Sequence, residues 1–479
     1  MSLKEKAING TKWLMIDKLV NTGVSFVLSI VLARLLGPTE YGLVGMTTVF
    51  TGILNVFVAS GLGSSLIRKK DTTNEDYSTI FYFNLLVCFL AYGVLFVAAP
   101  HIAEFYDKPI LEDVVRVLGM TLIIGGFSMV QSTIRTKQIN FKIQTIISFI
   151  STIIAGVIGV FLAFKGFGVW SIVWQNIINA FLSSLLFWIT SDWRPHFFFS
   201  FVILKKHLSY GLHILRSQLT ISISDNIFYF VIGKYYSPKS LGLYTRADSL
   251  VNLFSRNIEQ TLNSIIFPTL CKINDDRERL ISVFNDFLSV TSFLTAFFTF
   301  NFVAVSDNFI AVFLGSKWFE TIYFMKILVI SAFFHPVNTM NIRIANVLGR
   351  SDIFANAIAF QRTLWIVLAI IGIYTNFETL LYGTIVVSIS VYIYNSQKVK
   401  KMIGISVSTQ IKGVLINSFP SFIGGFMIWI LGCFLPLNKI VVLVIQLFFG
   451  IILYYFYFEK SKLPIYLKTK EMITGMLKK

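Results

Sequence analysis

The feature that most constrains this chain is a run of about twenty predominantly apolar residues, met about fourteen times from near the start almost to the end. The first run reaches from Trp13 to Leu36 and the last from Ile440 to Phe458. Each is long enough to cross a hydrocarbon core of roughly 30 Å as a helix. The runs are continuously apolar rather than alternating, which selects helices over the strands of a membrane barrel. Two of them, Gly211–Ile232 and Leu241–Phe267, are interrupted by charges. Hydrophobic residues make up 55% of the chain and charged ones 14%, well below the roughly 25% of a soluble domain. The expected fold class is therefore an all-α polytopic membrane protein. The apolar run after MSLKEKAINGTKW is too long for a signal core and no small-x-small site follows it, so it is expected to stay as the first span.

The net charge is +17, and its placement says what it is for. With the N-terminus in the cytoplasm and the spans alternating, cytoplasmic segments hold about 26 Lys and Arg against about 12 Asp and Glu. External segments hold about 7 against about 8. This positive-inside asymmetry also returns the C-terminus to the cytoplasm. The basic excess is topological, and no nucleic-acid partner is expected. The basic, partly apolar tail from Lys460 to Lys479 suits either a solvated end or a segment lying on the inner leaflet. Cys88, Cys271 and Cys433 are far apart with no CxxC spacing, so neither a metal site nor a disulfide is expected.

Two stretches resemble each other at an offset of 200 positions. Arg34 to Leu43 reads RLLGPTEYGL, and Lys234 to Leu243 reads KYYSPKSLGL. Both place a base first (Arg34, Lys234), then proline (Pro38, Pro238), then glycine (Gly42, Gly242). Proline is expected to fix a helix exit, and glycine to let the next helix start tightly. The copies lie six spans apart, an even number, so they share one orientation. That predicts two parallel six-helix lobes plus two further helices, a transporter architecture. The expected boundaries are a first lobe over 1–190, a cytoplasmic linker over 191–210 and a second lobe over 211–401. Two more spans and the basic tail follow over 402–479.

Polar residues inside a span are costly in lipid and mark cavities or helix contacts. They recur at helical spacing in four spans: Asp17, Asn21, Ser25 and Ser29 in the first, and Thr48, Thr51 and Asn55 in the second. The seventh has Gln218, Ser222, Asp225 and Tyr229; the eighth has Asp248, Asn252, Ser255, Glu259 and Asn263, with Arg256 beside them. Under the 200-residue offset Ser25 falls on Asp225, Thr48 on Asp248 and Asn55 on Ser255. A water-filled path lined by these helices is the functional reading; hydrogen bonding in a packed bundle is the structural one. Arg246, Arg256 and Arg216, with Asp248, Asn252 and Glu259, are the candidates to hold a passenger's anionic head group, because guanidinium forks fit phosphate oxygens. Arg216 also suits a snorkelling role at the cytoplasmic boundary. Asp225 and Asp17 are the candidates for a coupling ion, H+ or Na+. Arg34 and Lys234 suit boundary anchors.

The residues LARLLGPTEYGL, GLGSSLIRKK, SPKSLGLYTRADSL, IIFPTLCKINDDRERL and FLGSKW, in this order and spacing, resemble the polysaccharide transport family of Wzx-type flippases. These belong to the multidrug/oligosaccharidyl-lipid/polysaccharide (MOP) exporter superfamily, and the similarity is greatest to the colanic-acid exporter branch. The resemblance covers essentially the whole chain. It implies a MOP/MATE-like fold and a bacterial inner-membrane protein that flips undecaprenyl-pyrophosphate-linked oligosaccharide by alternating access for surface polysaccharide biosynthesis. It also implies a polymerase and chain-length machinery acting on the product, with membrane lipid around the passenger's tail. No cofactor and no catalytic residue are expected. The rival readings are a drug or cation exporter of the same superfamily and a membrane polysaccharide polymerase or ligase. The latter needs an external catalytic loop, and the longest expected one is only Pro100 to Asp113.

Overall fold

The computed structural model describes residues 3–59 and 61–461. Its helices are α1 (Leu3–Leu35), α2 (Pro38–Ala59), α3 (Leu62–Arg68), α4 (Asn74–Phe105) and α5 (Ile110–Lys137). Next come α6 (Phe141–Phe164), α7 (Val169–Thr190), α8 (Phe201–Tyr235), α9 (Pro238–Cys271) and α10 (Arg277–Phe313). The last are α11 (Phe319–Val347), α12 (Ser351–Tyr374), α13 (Phe377–Ile403), α14 (Val407–Phe434) and α15 (Lys439–Ser461). No strand occurs among the described residues. Among the described residues, ten helical segments are long and apolar enough to cross a membrane. The chain is thus an all-helical, multi-span membrane protein.

Four helices are not among the ten: α1 and α15, which count only as the shorter apolar stretches Val20–Leu35 and Lys439–Tyr455, and α8 and α9. At 35 and 34 residues, α8 and α9 are long enough to span. They contain the two runs that charges interrupt. The basic tail beyond Ser461 lies outside the described residues.

The chain divides into two compact units, Met1–Gly242 and Leu243–Lys479. In the first, α4 packs on α5, α1 on α6, α6 on α7 and α2 on α8. In the second, α10 packs along α14 and α11, and α11 along α13. Local chemistry sets the helix starts. Thr73 and Asp76 form a reciprocal capping box on α4. Asp276, Asn376 and Ser406 cap α10, α13 and α14 by accepting a backbone N–H.

Two expectations about connections are corrected. The stretch from Pro100 to Asp113 is mostly helix; only residues 106–109 join α4 to α5. In the repeated turns the prolines do not end a helix. Pro38 and Pro238 are the first residues of α2 and α9, where a missing N–H costs nothing and the fixed φ suits the helix.

The glycines four residues on explain the repeat. A Cβ on Gly42 would sit 1.8 Å from the Pro238 carbonyl oxygen. A Cβ on Gly242 would sit 1.7 Å from the Pro38 carbonyl oxygen. The two helix starts cross backbone on backbone and reciprocally, all within the first unit. Only hydrogen fits at either position, so the similarity of the two stretches is a contact each makes with the other.

Candidate functional site

The polar positions singled out from sequence separate by exposure. On α1, Asn21 is buried, Ser25 exposed, and Ser29 donates to its own helix at Phe26 O, 2.8 Å away. The Asp17 side chain lies outside the described residues. On α2, Thr48 and Asn55 are exposed and Thr51 is half-buried. On α8, Arg216, Gln218 and Asp225 are exposed, with Ser222 and Tyr229 half-buried. The hydroxyls of Thr48 and Thr51 donate to carbonyls one turn back, a common accommodation of threonine in a membrane helix.

In the second unit α9 is rotated relative to the expected stripe. Ser255 is buried and donates to Val251 O at 3.2 Å. Glu259 faces α11, where its Oε1 accepts from Thr339 Oγ1 at 2.7 Å. Arg246 is buried, and Asp248, Asn252 and Asn263 are half-buried. The open face next to that stripe carries Arg256, Asn257, Gln260, Thr261 and Ser264. Their spacing keeps them on one side of the helix. Of the head-group candidates on α9 only Arg256 opens outward, steadied by its Nε–H donating to Asn252 Oδ1 at 3.3 Å. The cavity among α9, α10 and α11 beside Ser255, Thr295 and Thr299 measures about 20 Å³, room for a single water. No passenger fits there.

The open polar faces of α2 and α8 in the first unit, and that of α9 in the second, are the candidate surfaces, each taken by itself. Hydrocarbon cannot satisfy a guanidinium, a carboxylate or an amide, so a face of this kind on a spanning-length helix meets water or a polar passenger. Lys234 has another role. Its ammonium donates to Phe105 O and pairs with Asp107 at 3.4 Å, tying the end of α8 to the end of α4. These bonds make it a tie between two helix ends.

Sequence reasoning missed a cluster at the opposite end of α4. Asp76 is 1% exposed and accepts from Lys69 Nζ at 2.6 Å and from Thr73 N at 2.8 Å. His207 of α8 lies between them and α3: Ser65 Oγ is 2.5 Å from Nδ1, and Asp76 Oδ1 is 3.5 Å from Nε2. Burial holds this histidine below its ordinary pKa, against the opposing pull of the Asp76 carboxylate. A neutral ring satisfies both contacts, with Ser65 donating to Nδ1 and Nε2–H donating to Asp76. Lys137 of α5 closes the cluster by donating to Leu66 O at 3.2 Å, Lys69 O at 2.5 Å and the Thr72 hydroxyl. All three ammonium protons are used, so Lys137 is a structural cation rather than an anion ligand. The capping signal Thr73-x-x-Asp76 was readable in the sequence; the approach of His207 from 131 residues away was not.

A family model described as polysaccharide biosynthesis protein matches residues 31–323. The chain belongs to this family. Among its relatives is the teichuronic acid biosynthesis protein TuaB of Bacillus subtilis, 25% identical over 74% of this chain and 73% of that one. The succinoglycan biosynthesis transport protein ExoT of Rhizobium meliloti is 26% identical over 64% of this chain and 62% of its own length. The lipopolysaccharide biosynthesis protein WzxC of Escherichia coli is 22% identical over 78% and 76%. In fold, the chain matches the lipid II flippase MurJ in an inward closed conformation. The TM-score is 0.73 at 15% identity, over 98% of this chain and all of that one. An inward-facing MATE-family multidrug transporter of the MOP superfamily matches at a TM-score of 0.57 and 15% identity, over 80% of this chain and 98% of the other. The fold is one shared with a flippase and a multidrug transporter, and one of the relatives is named a transport protein.

Proposed function

We propose that this protein flips a lipid-linked oligosaccharide, an undecaprenyl-pyrophosphate repeat unit, across the bacterial inner membrane for surface polysaccharide biosynthesis. The observation that carries the reading is the pair α8 and α9. Both have spanning length, both fall outside the apolar set, and both expose polar faces that include Arg216 and Arg256. A glycan cannot cross hydrocarbon unaided and needs such a face; a pyrophosphate needs a cation beside it. The succinoglycan biosynthesis transport protein and the lipopolysaccharide biosynthesis protein among the relatives support the same substrate class.

In this reading α1, α8, α9 and α15 also span, giving fourteen crossings with both termini cytoplasmic. The lobes run over 1–190 and 211–401, joined by 191–210, and alternate in access. Arg256 and Arg216 meet the head group, Asp225 and Asp17 serve the coupling ion, and a polymerase with its chain-length machinery takes the product.

Deletion in the host tests this. The expected result is loss of one surface polysaccharide, with its lipid-linked repeat accumulating on the cytoplasmic side. Replacing Arg256 with Gln removes a charge-assisted contact and is expected to slow export by about 10- to 100-fold while membrane levels hold. Export at the parental rate would remove Arg256 from the path. Continued translocation with only chain length altered would point to a polymerase.

A further inference from the structure

The connector between α7 and α8 and the first turn of α8 expose a run of apolar side chains. Phe197 is fully exposed, Phe201 78% and Val202 67%, with Phe198 and Phe199 more than a third exposed. One helical turn beyond Phe201 and Val202, on the same side of α8, Lys205 and Lys206 are exposed as well.

This segment is fastened, not loose. The backbone N–H of His196 donates to Ser78 Oγ at 3.1 Å, and that of Ser200 to Thr79 Oγ1 at 3.3 Å. Phe197 stacks on Tyr82 at 6.3 Å between ring centroids. His207, seven residues after Ser200, is held at Asp76.

These attachments make α4 a depth ruler. At 1.5 Å of rise per residue, Ser78 and Thr79 lie about 3 and 4.5 Å further along α4 than Asp76, and Tyr82 about 9 Å further. The start of α8 therefore does not project away from the bundle. Phe197, stacked on Tyr82, lies deeper along α4 than His207 at Asp76, at the first turns of a spanning helix. Lys205 and Lys206 stay near the level of the Asp76–Lys69 pair. Apolar side chains a few ångströms deep with lysines above them match the acyl boundary and the phosphate layer of one leaflet.

We propose that residues 196–206 form a docking surface for anionic phospholipid in the leaflet at the Asn74 end of α4, the cytoplasmic leaflet in the orientation proposed above. The phenylalanines enter the upper acyl region, and Lys205 and Lys206 bind headgroup phosphate. Because the opposite side of the segment is bonded to α4, bound lipid stabilises the first unit. The surface rests on the membrane-spanning nature of the chain and not on the identity of the passenger.

The test uses the full chain in nanodiscs, with Cys271 and Cys433 replaced by Ser, and a spin label placed through Phe197→Cys, Phe201→Cys or Lys205→Cys. Collision with oxygen and with a water-soluble nickel chelate reports depth. Labels at 197 and 201 are expected to favour oxygen, and the label at 205 nickel. Equal nickel access at all three would overturn the proposal. So would shielding from both reagents, which would mean a protein partner or a second copy covers the face. A second measurement compares thermal unfolding in phosphatidylglycerol-containing and pure phosphatidylcholine discs. The gain with the anionic lipid is expected to vanish in the Lys205→Gln/Lys206→Gln variant. A gain that persists there, or that inorganic phosphate reproduces in phosphatidylcholine, would overturn the headgroup assignment.

Discussion

The two units solve the burial of polar groups differently. In the first, the interior holds an ionic cluster, Asp76 with Lys69, His207 and Thr73, and a backbone crossing at Gly42 and Gly242. In the second, several of the buried interhelical junctions are neutral. Gln446 of α15 accepts from Asn308 and donates to Ala304 O and Ile428 O. Ser331 of α11 meets Ser388 and Thr384 O of α13, and Asn341 meets Ser396. The lysines of both ionic contacts, Lys69–Asp76 and, in the second unit, Lys326–Asp307, keep part of their surface in water; Lys69 is 43% exposed. The neutral junctions are buried, where an amide or hydroxyl costs far less to desolvate than a charge. The first unit depends on a few contacts with no substitute; the second spreads its polar bonding over several modest ones.

Substitutions can break that contrast. The largest effect is expected at the crossing. Gly42→Ala and Gly242→Ala each drive a methyl into a backbone carbonyl and should each cost about 3 kcal/mol or more, seen as a fall in unfolding midpoint in detergent. Equal losses at the two positions would confirm the reciprocity; a loss at one alone would break it. Next comes Lys69→Met, which strands the buried Asp76 carboxylate and should cost about 3 kcal/mol. The same cluster makes stability depend on pH. His207 has a folded pKa below its unfolded value, so its contribution is complete above the usual histidine range. It is lost as pH falls through about 6.5 toward the depressed folded value. His207→Gln should flatten this response in unfolding measured from neutral to mildly acidic pH. The smallest effects belong to the second unit: about 1 kcal/mol for Gln446→Leu and about 0.6 kcal/mol for Ser331→Ala. Losses there as large as at Lys69 would mean that its neutral junctions are not the modest contacts described.

The candidate site was half legible in the sequence. Helical spacing picked out the helices, and Thr48, Asn55, Gln218, Asp225 and Arg256 do stand open. It did not give the rotation of α9. A period of four places Ser255 and Glu259 on a polar stripe, but α10 and α11 decide which side of α9 is covered, and Glu259 turned to Thr339. The open face one step round, through Asn257, Gln260 and Thr261, has the same composition and was passed over. Spacing within one helix contains no record of which neighbour it will meet.

What the sequence determined by itself is whatever depends on local transfer from water. Long apolar runs must become helices in a bilayer because hydrocarbon offers no partner to an open backbone. The interruption of two of those runs by charge marked α8 and α9 before any fold was known. The motif order placed the chain in its family. Only the tertiary structure decided what depends on meetings between distant residues. The decapeptide similarity was plain in the sequence, yet nothing in it said that Gly42 lies on Pro238 and Gly242 on Pro38. His207 read as a linker residue until α3 and α4 closed around it. Hydropathy is a property of one residue and its solvent; a crossing or a buried ion cluster is a property of two or more segments and exists only once they are packed.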